Sequence, residues 1–308
     1  MSAPSVPVIR QSAGAGAARA AARRRRQQGG AGADRRPRWV TYSILTVVLL
    51  VAVYPLYYSF LIASSTKEDV ARHPIPSLIP GSHLWENMQK VITSDIGFWA
   101  ALRNSLIVSV VTAVAVVLFS TLAGYSFAKL RFRGRGPLLV FVIATTAIPT
   151  QLGIVPLFLV MKQLHLIGKL PAVILPALVT AFGVFWMTQY LEGALPYELI
   201  EAARVDGASM IRTFWSVALP AARPAATMLG LFTFVANWTN YFWPLVVLGA
   251  VPGRTTLPVA LKMLQAHYYA DYSQVMAGVF VSVLPLLVLF IVAGRQLVSG
   301  IMQGAVKG

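Results

Sequence analysis

Long apolar runs recur along the chain at residues 39–63, 104–128, 138–161, 171–191, 224–249 and 275–294. Each approaches or exceeds the ~20 residues with which an α-helix crosses a hydrocarbon core of about 30 Å. Lipid offers no partner to backbone N–H and C=O groups, so only helices and closed barrels span it. Barrel strands would be shorter and would alternate apolar with polar residues, unlike these runs. The pattern predicts an all-α, polytopic membrane protein with six transmembrane helices over residues 39–308. Prolines 55, 149, 156, 176, 244 and 285 fall inside the runs. They predict kinked spans, since neighbouring helices can satisfy the carbonyls that a proline frees.

Composition agrees with this reading. Of 308 residues, 57% are hydrophobic and 12% charged, against about a quarter charged in soluble domains. The net charge of +16 comes from 26 basic and 10 acidic residues. Nine arginines and a single acid, Asp34, lie in the first 38 residues, which include the run Arg23–Arg26. That Ala-, Gly- and Arg-rich stretch has too little apolar bulk to fold and reads as a disordered cytoplasmic tail. Its arginines serve topology better than nucleic-acid binding. A secretory signal would place its apolar region near the start, whereas the first run begins at Trp39, so residues 39–63 read as an uncleaved first span.

Six spans put both termini on one side, and cytoplasmic segments carry the excess of Lys and Arg. With the tail inside, 18 of the 26 basic residues are cytoplasmic; outside the tail the split is 9 to 8. The tail and the cluster Lys129, Arg131, Arg133 and Arg135 therefore carry the orientation. The external segments are then about 64–103, 162–170 and 250–274, and they hold all four histidines, at 73, 83, 165 and 267. Their spread predicts no metal site. The absence of cysteine excludes disulfides, thiolate metal sites and cysteine nucleophiles.

The cytoplasmic loop from Glu192 to Arg223 differs from its surroundings. Pro196 can start a helix, because its missing N–H would be unpaired in a first turn anyway. Glu198 and Glu201 then lie towards the N-terminal end, where the helix dipole favours acids. Gly207 predicts a helix stop or sharp turn. A second helical piece runs into Leu219-Pro220, and Pro224 falls where the fifth span starts. The expected result is a short helix lying across the membrane surface on the basic side.

Within that loop, Glu201-Ala202-Ala203, three residues, Gly207, nine residues, Val217, one residue and Leu219-Pro220 reproduce the spacing of the EAA motif of ABC-importer permeases, with Val217 in place of the usual Ile. The chain resembles that family over about residues 40–308. Asn104-Ser105, Gly124-Tyr125 with Phe132, Ile148-Pro149 and Asp206-Gly207-Ala208 look like its carbohydrate branch, the MalG-like permeases. So do Asn237-Trp238 through Trp243-Pro244-Leu245, Thr256-Leu257-Pro258 and Gly304 to Gly308. The first 38 residues lie outside the resemblance.

The resemblance implies a type I ABC-importer permease fold and a bacterial inner-membrane location. It implies that the loop is a coupling helix seated in a cleft of a cytoplasmic ATPase, whose ATP-driven closure flips the cavity between inward- and outward-facing. Glu201, Ala202, Ala203, Asp206 and Gly207 would form the contact, with Leu219 and Pro220 closing the motif. Small alanines permit close approach, Gly207 permits a tight bend, and Glu201 can pair with a partner's basic group or cap its own helix. The implied partners are a second permease forming the other half of the path, an ATPase dimer that binds ATP and Mg, and an extracytoplasmic solute-binding protein. The implied cargo is an oligosaccharide or sugar-like solute.

No Gly, four residues, Gly-Lys-Ser/Thr sequence is present; Gly168-Lys169 is followed by Leu170. The chain should therefore bind no cofactor itself, and ATP hydrolysis belongs to a partner. No serine elbow or zinc-protease helix occurs either, so a non-enzymatic role is expected. The runs contain almost no ionisable residues, which weighs against a self-contained secondary transporter. Their polar groups are amides, hydroxyls and aromatics. Asn237, Asn240 and Tyr241, at helical spacing, and Gln151 are the candidates for a sugar path, with Trp186, Trp238 and Trp243 nearby. Helix–helix hydrogen bonding would use the same residue types. A peptide, polyamine or phosphate-ester cargo is the nearest alternative.

Overall fold

The computed structural model describes residues 39–73, 77–265 and 270–305, with backbone alone at 293 and 295–305. The arginine-rich tail, Pro74 to Pro76, His267 and residues 306–308 lie outside the described residues. The chain divides into two compact units, Met1–Pro55 and Leu56–Gly308. The described part of the first is the N-terminal portion of α1 (Trp39–Ala63).

After α1 come α2 (Lys67–Arg72), α3 (Leu84–Thr93), α4 (Phe98–Lys129) and α5 (Arg135–Thr145). A 3-10 turn, Thr150–Gly153, leads into α6 (Ile154–Gln163), and α7 (Pro171–Ile174) is followed by a second such turn, Leu175–Ala177. Next are α8 (Ala181–Ala194), α9 (Tyr197–Val205), α10 (Met210–Thr213), a π segment (Phe214–Ala218) and α11 (Leu219–Trp238). The order closes with α12 (Phe242–Leu248), α13 (Leu257–Met263) and α14 (Tyr272–Ala305). No strand occurs among the described residues.

Among the described residues, four helical runs are long and apolar enough to cross a bilayer unbroken: Trp39–Ala63, Phe98–Lys129, Met210–Trp238 and Tyr272–Val292. Two further spans are bent pairs. Arg135–Thr145 meets Thr150–Gln163 at 89°, and Pro171–Ala177 meets Ala181–Ala194 at 41°. Counting each pair as one span gives six.

The prolines explain where helices break and where they continue. Pro149 stands at the head of the 3-10 turn in the first bent pair, and Pro176 lies in the turn that closes the first arm of the second. Pro55 and Pro285, by contrast, sit inside unbroken helices. The run 224–249 is not one helix. Its helical rod begins at Met210 and stops at Trp238. Continuing it would drive the Pro244 ring into the Asn240 carbonyl and remove a helical N–H. Pro244 instead lies in the first turn of α12, where no N–H is needed.

In the second unit α4 is the central rod, packed on α8 and α11. Small residues allow the approach. A Cβ on Gly124 would lie 2.7 Å from Met187 Cβ and 2.8 Å from the Thr188 nitrogen. Gly183 faces Ser120 in the same way. Around this seam, Val116, Tyr125, Leu191, Phe214 and Leu229 form a buried cluster. At the other end of α4, the buried Asn104 donates to the Thr255 carbonyl at 3.0 Å, and Ser105 Oγ accepts from the Leu257 N–H at 2.8 Å. Two sequence signatures about 150 residues apart are thereby joined.

Gly124→Ala should destabilise the protein by about 1–3 kcal/mol, because backbone rather than a flexible side chain must yield. Gly136→Ala, whose Cβ would meet nothing within 4 Å, is the control. Thermal unfolding in detergent of both variants checks this; equal melting of Gly124→Ala and the parent would refute the close-packing account.

Candidate functional site

Helix α9 is delimited by its own residues. Pro196 stands before it in an extended conformation and Glu198 occupies its first turn. At the other end Gly207 adopts φ +76°, its N–H donates to the Arg204 carbonyl at 3.0 Å, and the Ala208 N–H donates to the Ala203 carbonyl at 2.9 Å. This pair of bonds is a Schellman stop, which needs a left-handed residue at Gly207. A Cβ there would meet nothing within 4 Å, so backbone conformation and not crowding selects glycine. Ser209 then opens the next helix by accepting from the Arg212 N–H at 3.3 Å.

The second helical piece runs without a stop from Met210 into the fifth span. The π segment Phe214–Ala218 makes the join, with the Leu219 N–H bonded to the Phe214 carbonyl. The widened turn lies immediately before Pro220, whose ring would clash with the carbonyl four residues earlier in a regular helix. Leu219 packs beside the buried cluster of Tyr125, Phe214 and Leu229.

Helix α9 buries one side chain, Ile200, against that cluster. Glu201, Ala202, Arg204 and Asp206 are exposed, while Ala203 is half-buried. Glu201 forms no ion pair among the described residues. It lines a polar pocket of about 350 Å³ with Lys129, Arg131, Tyr197 and Arg204. Beside Gly207, Val205 is 87% exposed and Ile211 73%. Both aliphatics flank the Gly207 turn and are left uncovered by the rest of the chain. In the sequence they are visible only as apolar residues on both flanks of Gly207, with nothing local to say that they are uncovered.

Sequence reasoning also missed what fastens α9 to the bundle. Lys129, the last residue of α4, is buried. Its Nζ donates to the Glu192 carbonyl at 3.0 Å and stands 4.7 Å from the centroid of the Tyr197 ring. The Tyr197 hydroxyl donates to the Ala128 carbonyl at 3.5 Å. Arg135 lies 3.9 Å from the Glu192 carboxylate. Lys129 was visible beforehand only as one charge in an orienting cluster.

The candidate path residues do not come together. With α11 ending at Trp238, the helical spacing of Asn237, Asn240 and Tyr241 does not hold. The Asn237 amide donates to the Thr233 carbonyl of its own helix at 2.8 Å. Gln151 is exposed in the turn of the bent pair. Tyr241 alone of the four lines a cavity of about 580 Å³, with Trp238, Leu261, Lys262 and Ser282. Trp238 is held there by its indole N–H, which donates to the Ser282 carbonyl at 3.1 Å.

In the segment before α4, Lys90 and then His83 bond to Glu86 and hold its carboxyl below the ordinary carboxylate range. Among the described residues no three His, Asp or Glu side chains gather as a metal site would require.

Residues 116–297 match the family model of the binding-protein-dependent transport system inner membrane component. The arabinooligosaccharides transport system permease protein AraQ of Halalkalibacterium halodurans is 32% identical over 271 residues, 88% of this chain and 96% of that one. The sn-glycerol-3-phosphate transport system permease protein UgpE of Escherichia coli is 28% identical over 279 residues, 88% of this chain and 98% of that one. A solved bacterial ABC transporter involved in the import of the acidic polysaccharide alginate has a chain of the same fold. It superposes with a TM-score of 0.72 at 24% identity, over 89% of this chain and 97% of that chain.

The stop at Gly207 generates a graded expectation. Gly207→Val places a β-branched residue in the left-handed region at a cost of about 1–2 kcal/mol, whereas Gly207→Asn is tolerated better. Both should insert at parental levels, and uptake should fall in the order Gly, Asn, Val. Parental uptake by Gly207→Val would count heavily against a coupling role for this turn.

Proposed function

The chain belongs to the binding-protein-dependent transport system inner membrane components, and from that premise we propose that it is the permease of an ATP-driven importer of a sugar or sugar-like solute. It forms half of a translocation path, with a second permease as the other half. An ATPase dimer supplies the energy from ATP and Mg, and an extracytoplasmic solute-binding protein delivers the cargo. The chain lies in a bacterial inner membrane with both termini cytoplasmic. Glu201, Ala202, Ala203, Asp206 and Gly207, closed by Leu219 and Pro220, meet the ATPase.

One observation carries the reading: a short helix ended by a Schellman turn at Gly207 presents exposed Val205, with exposed Ile211 on the next helix, at the same end of the bundle as Lys129 of the basic cluster. The chain has no phosphate-binding Gly-Lys-Ser/Thr loop, so the energy must enter through a contact. A helix standing proud of the spans is a means of receiving it. When the ATPase dimer closes, α9 moves with its cleft, and the spans to which α9 is tied move with it.

The sugar cargo is supported by the name of the arabinooligosaccharide relative. The glycerol-3-phosphate relative favours a second reading, a phosphate ester. Reconstitution of the chain with its paired permease, ATPase and binding protein, followed by a panel of labelled oligosaccharides, monosaccharides and glycerol 3-phosphate, separates the two. The expected result is ATP-dependent sugar uptake by the full assembly and none by the chain alone. Uptake by the isolated chain would indicate a secondary transporter, and transport of the phosphate ester alone would overturn the sugar assignment.

A further inference from the structure

Lys129 is only 5% exposed and forms no ion pair among the described residues. A buried ammonium without a carboxylate is stable only where polar groups surround it closely. Here the groups come from three helix ends. Glu192 lies in the last turn of α8, where carbonyls lack helical partners and carry partial negative charge. Its carbonyl accepts from Nζ at 3.0 Å. Tyr197 is the first residue of α9, and its ring faces the ammonium at 4.7 Å, a cation–π distance. Lys129 itself ends α4, and Tyr197 returns a hydrogen bond to the Ala128 carbonyl beside it.

Only Leu195 and Pro196 separate α8 from α9. Leu195 is fully buried and Ile200 is the one side chain that α9 buries, so few contacts hold the angle of α9 beyond the joint. Swinging would withdraw the Tyr197 ring from a buried cation.

We propose that Lys129 is a positioning residue that locks the start of α9 to the ends of α4 and α8, so that a displacement imposed on α9 passes into both spans instead of being absorbed at Leu195-Pro196. The proposal rests on the reading of α9 as the ATPase contact and adds the element that makes the contact stiff. Charge alone is not sufficient for this role: the group must reach the Glu192 carbonyl and face the ring.

The test uses the full assembly in proteoliposomes, with sugar uptake and ATP hydrolysis measured together. K129M should lower uptake per ATP hydrolysed about tenfold, within the usual range of coupling energies. K129R, which keeps the charge, the donor and the cation–π face, should recover most of it. Y197L should reproduce K129M, and the double variant should be no worse than either single one. A parental ratio in K129M, or equal failure of K129R and K129M, overturns the proposal; if K129M does not assemble, a parental ratio in Y197L does so. The chain has no cysteine, so V205C labelled with a maleimide-linked photo-cross-linker, which needs no cysteine on the ATPase, can report docking. Absence of a cross-link in an otherwise parental chain would sink the ATPase-contact reading itself. A cross-link retained in K129M with full coupling sinks the lock alone.

Discussion

The close approach of α4 to α8 sets the geometry of everything else in the second unit. Between helices in lipid there is no hydrophobic driving force, and association depends on packing and hydrogen bonds. Gly124 against the Met187 backbone, and Gly183 against Ser120, bring the two axes nearer than any larger side chain would allow. Because the rods touch there, their ends emerge side by side. Lys129 and Glu192 are thus neighbours, and α9, leaving α8 two residues later, has a fixed place to begin. A glycine seam in the bilayer decides where a surface helix stands.

The apolar runs made the all-helical, six-span architecture legible, because a run of 20 or more apolar residues has one solution in lipid. They could not show the internal form of each span. Pro149, Pro176 and Pro244 look alike in sequence to Pro55 and Pro285, yet the first three mark breaks and the last two do not. The difference is one of position in the finished structure: the first three stand in or beside a 3-10 turn or in a first helical turn, and the last two lie mid-helix. In the run 224–249 apolar composition continues through Trp238 to Leu248, while the hydrogen-bonded helix ends at Trp238 and a second begins at Phe242.

At the proposed ATPase contact the stop at Gly207 was readable, since a Schellman turn is written in local residues. The exposure of Val205 and Ile211 and the anchoring of Tyr197 by Lys129 were not. Lys129 and Tyr197 are 68 positions apart, and no local rule relates them. The candidate path suffered similarly. Spacing arguments for Asn237, Asn240 and Tyr241 assumed a helix that ends one residue after the first of them.

Helix α4 has 32 residues and no proline, and it carries Asn104 near one end and Lys129 at the other. At 1.5 Å per residue it is a rod about 48 Å long. Fastened by hydrogen bonds at both ends and buried at intervals between them, it joins the Glu192 carbonyl to the Thr255 loop through one unbroken ladder of backbone hydrogen bonds.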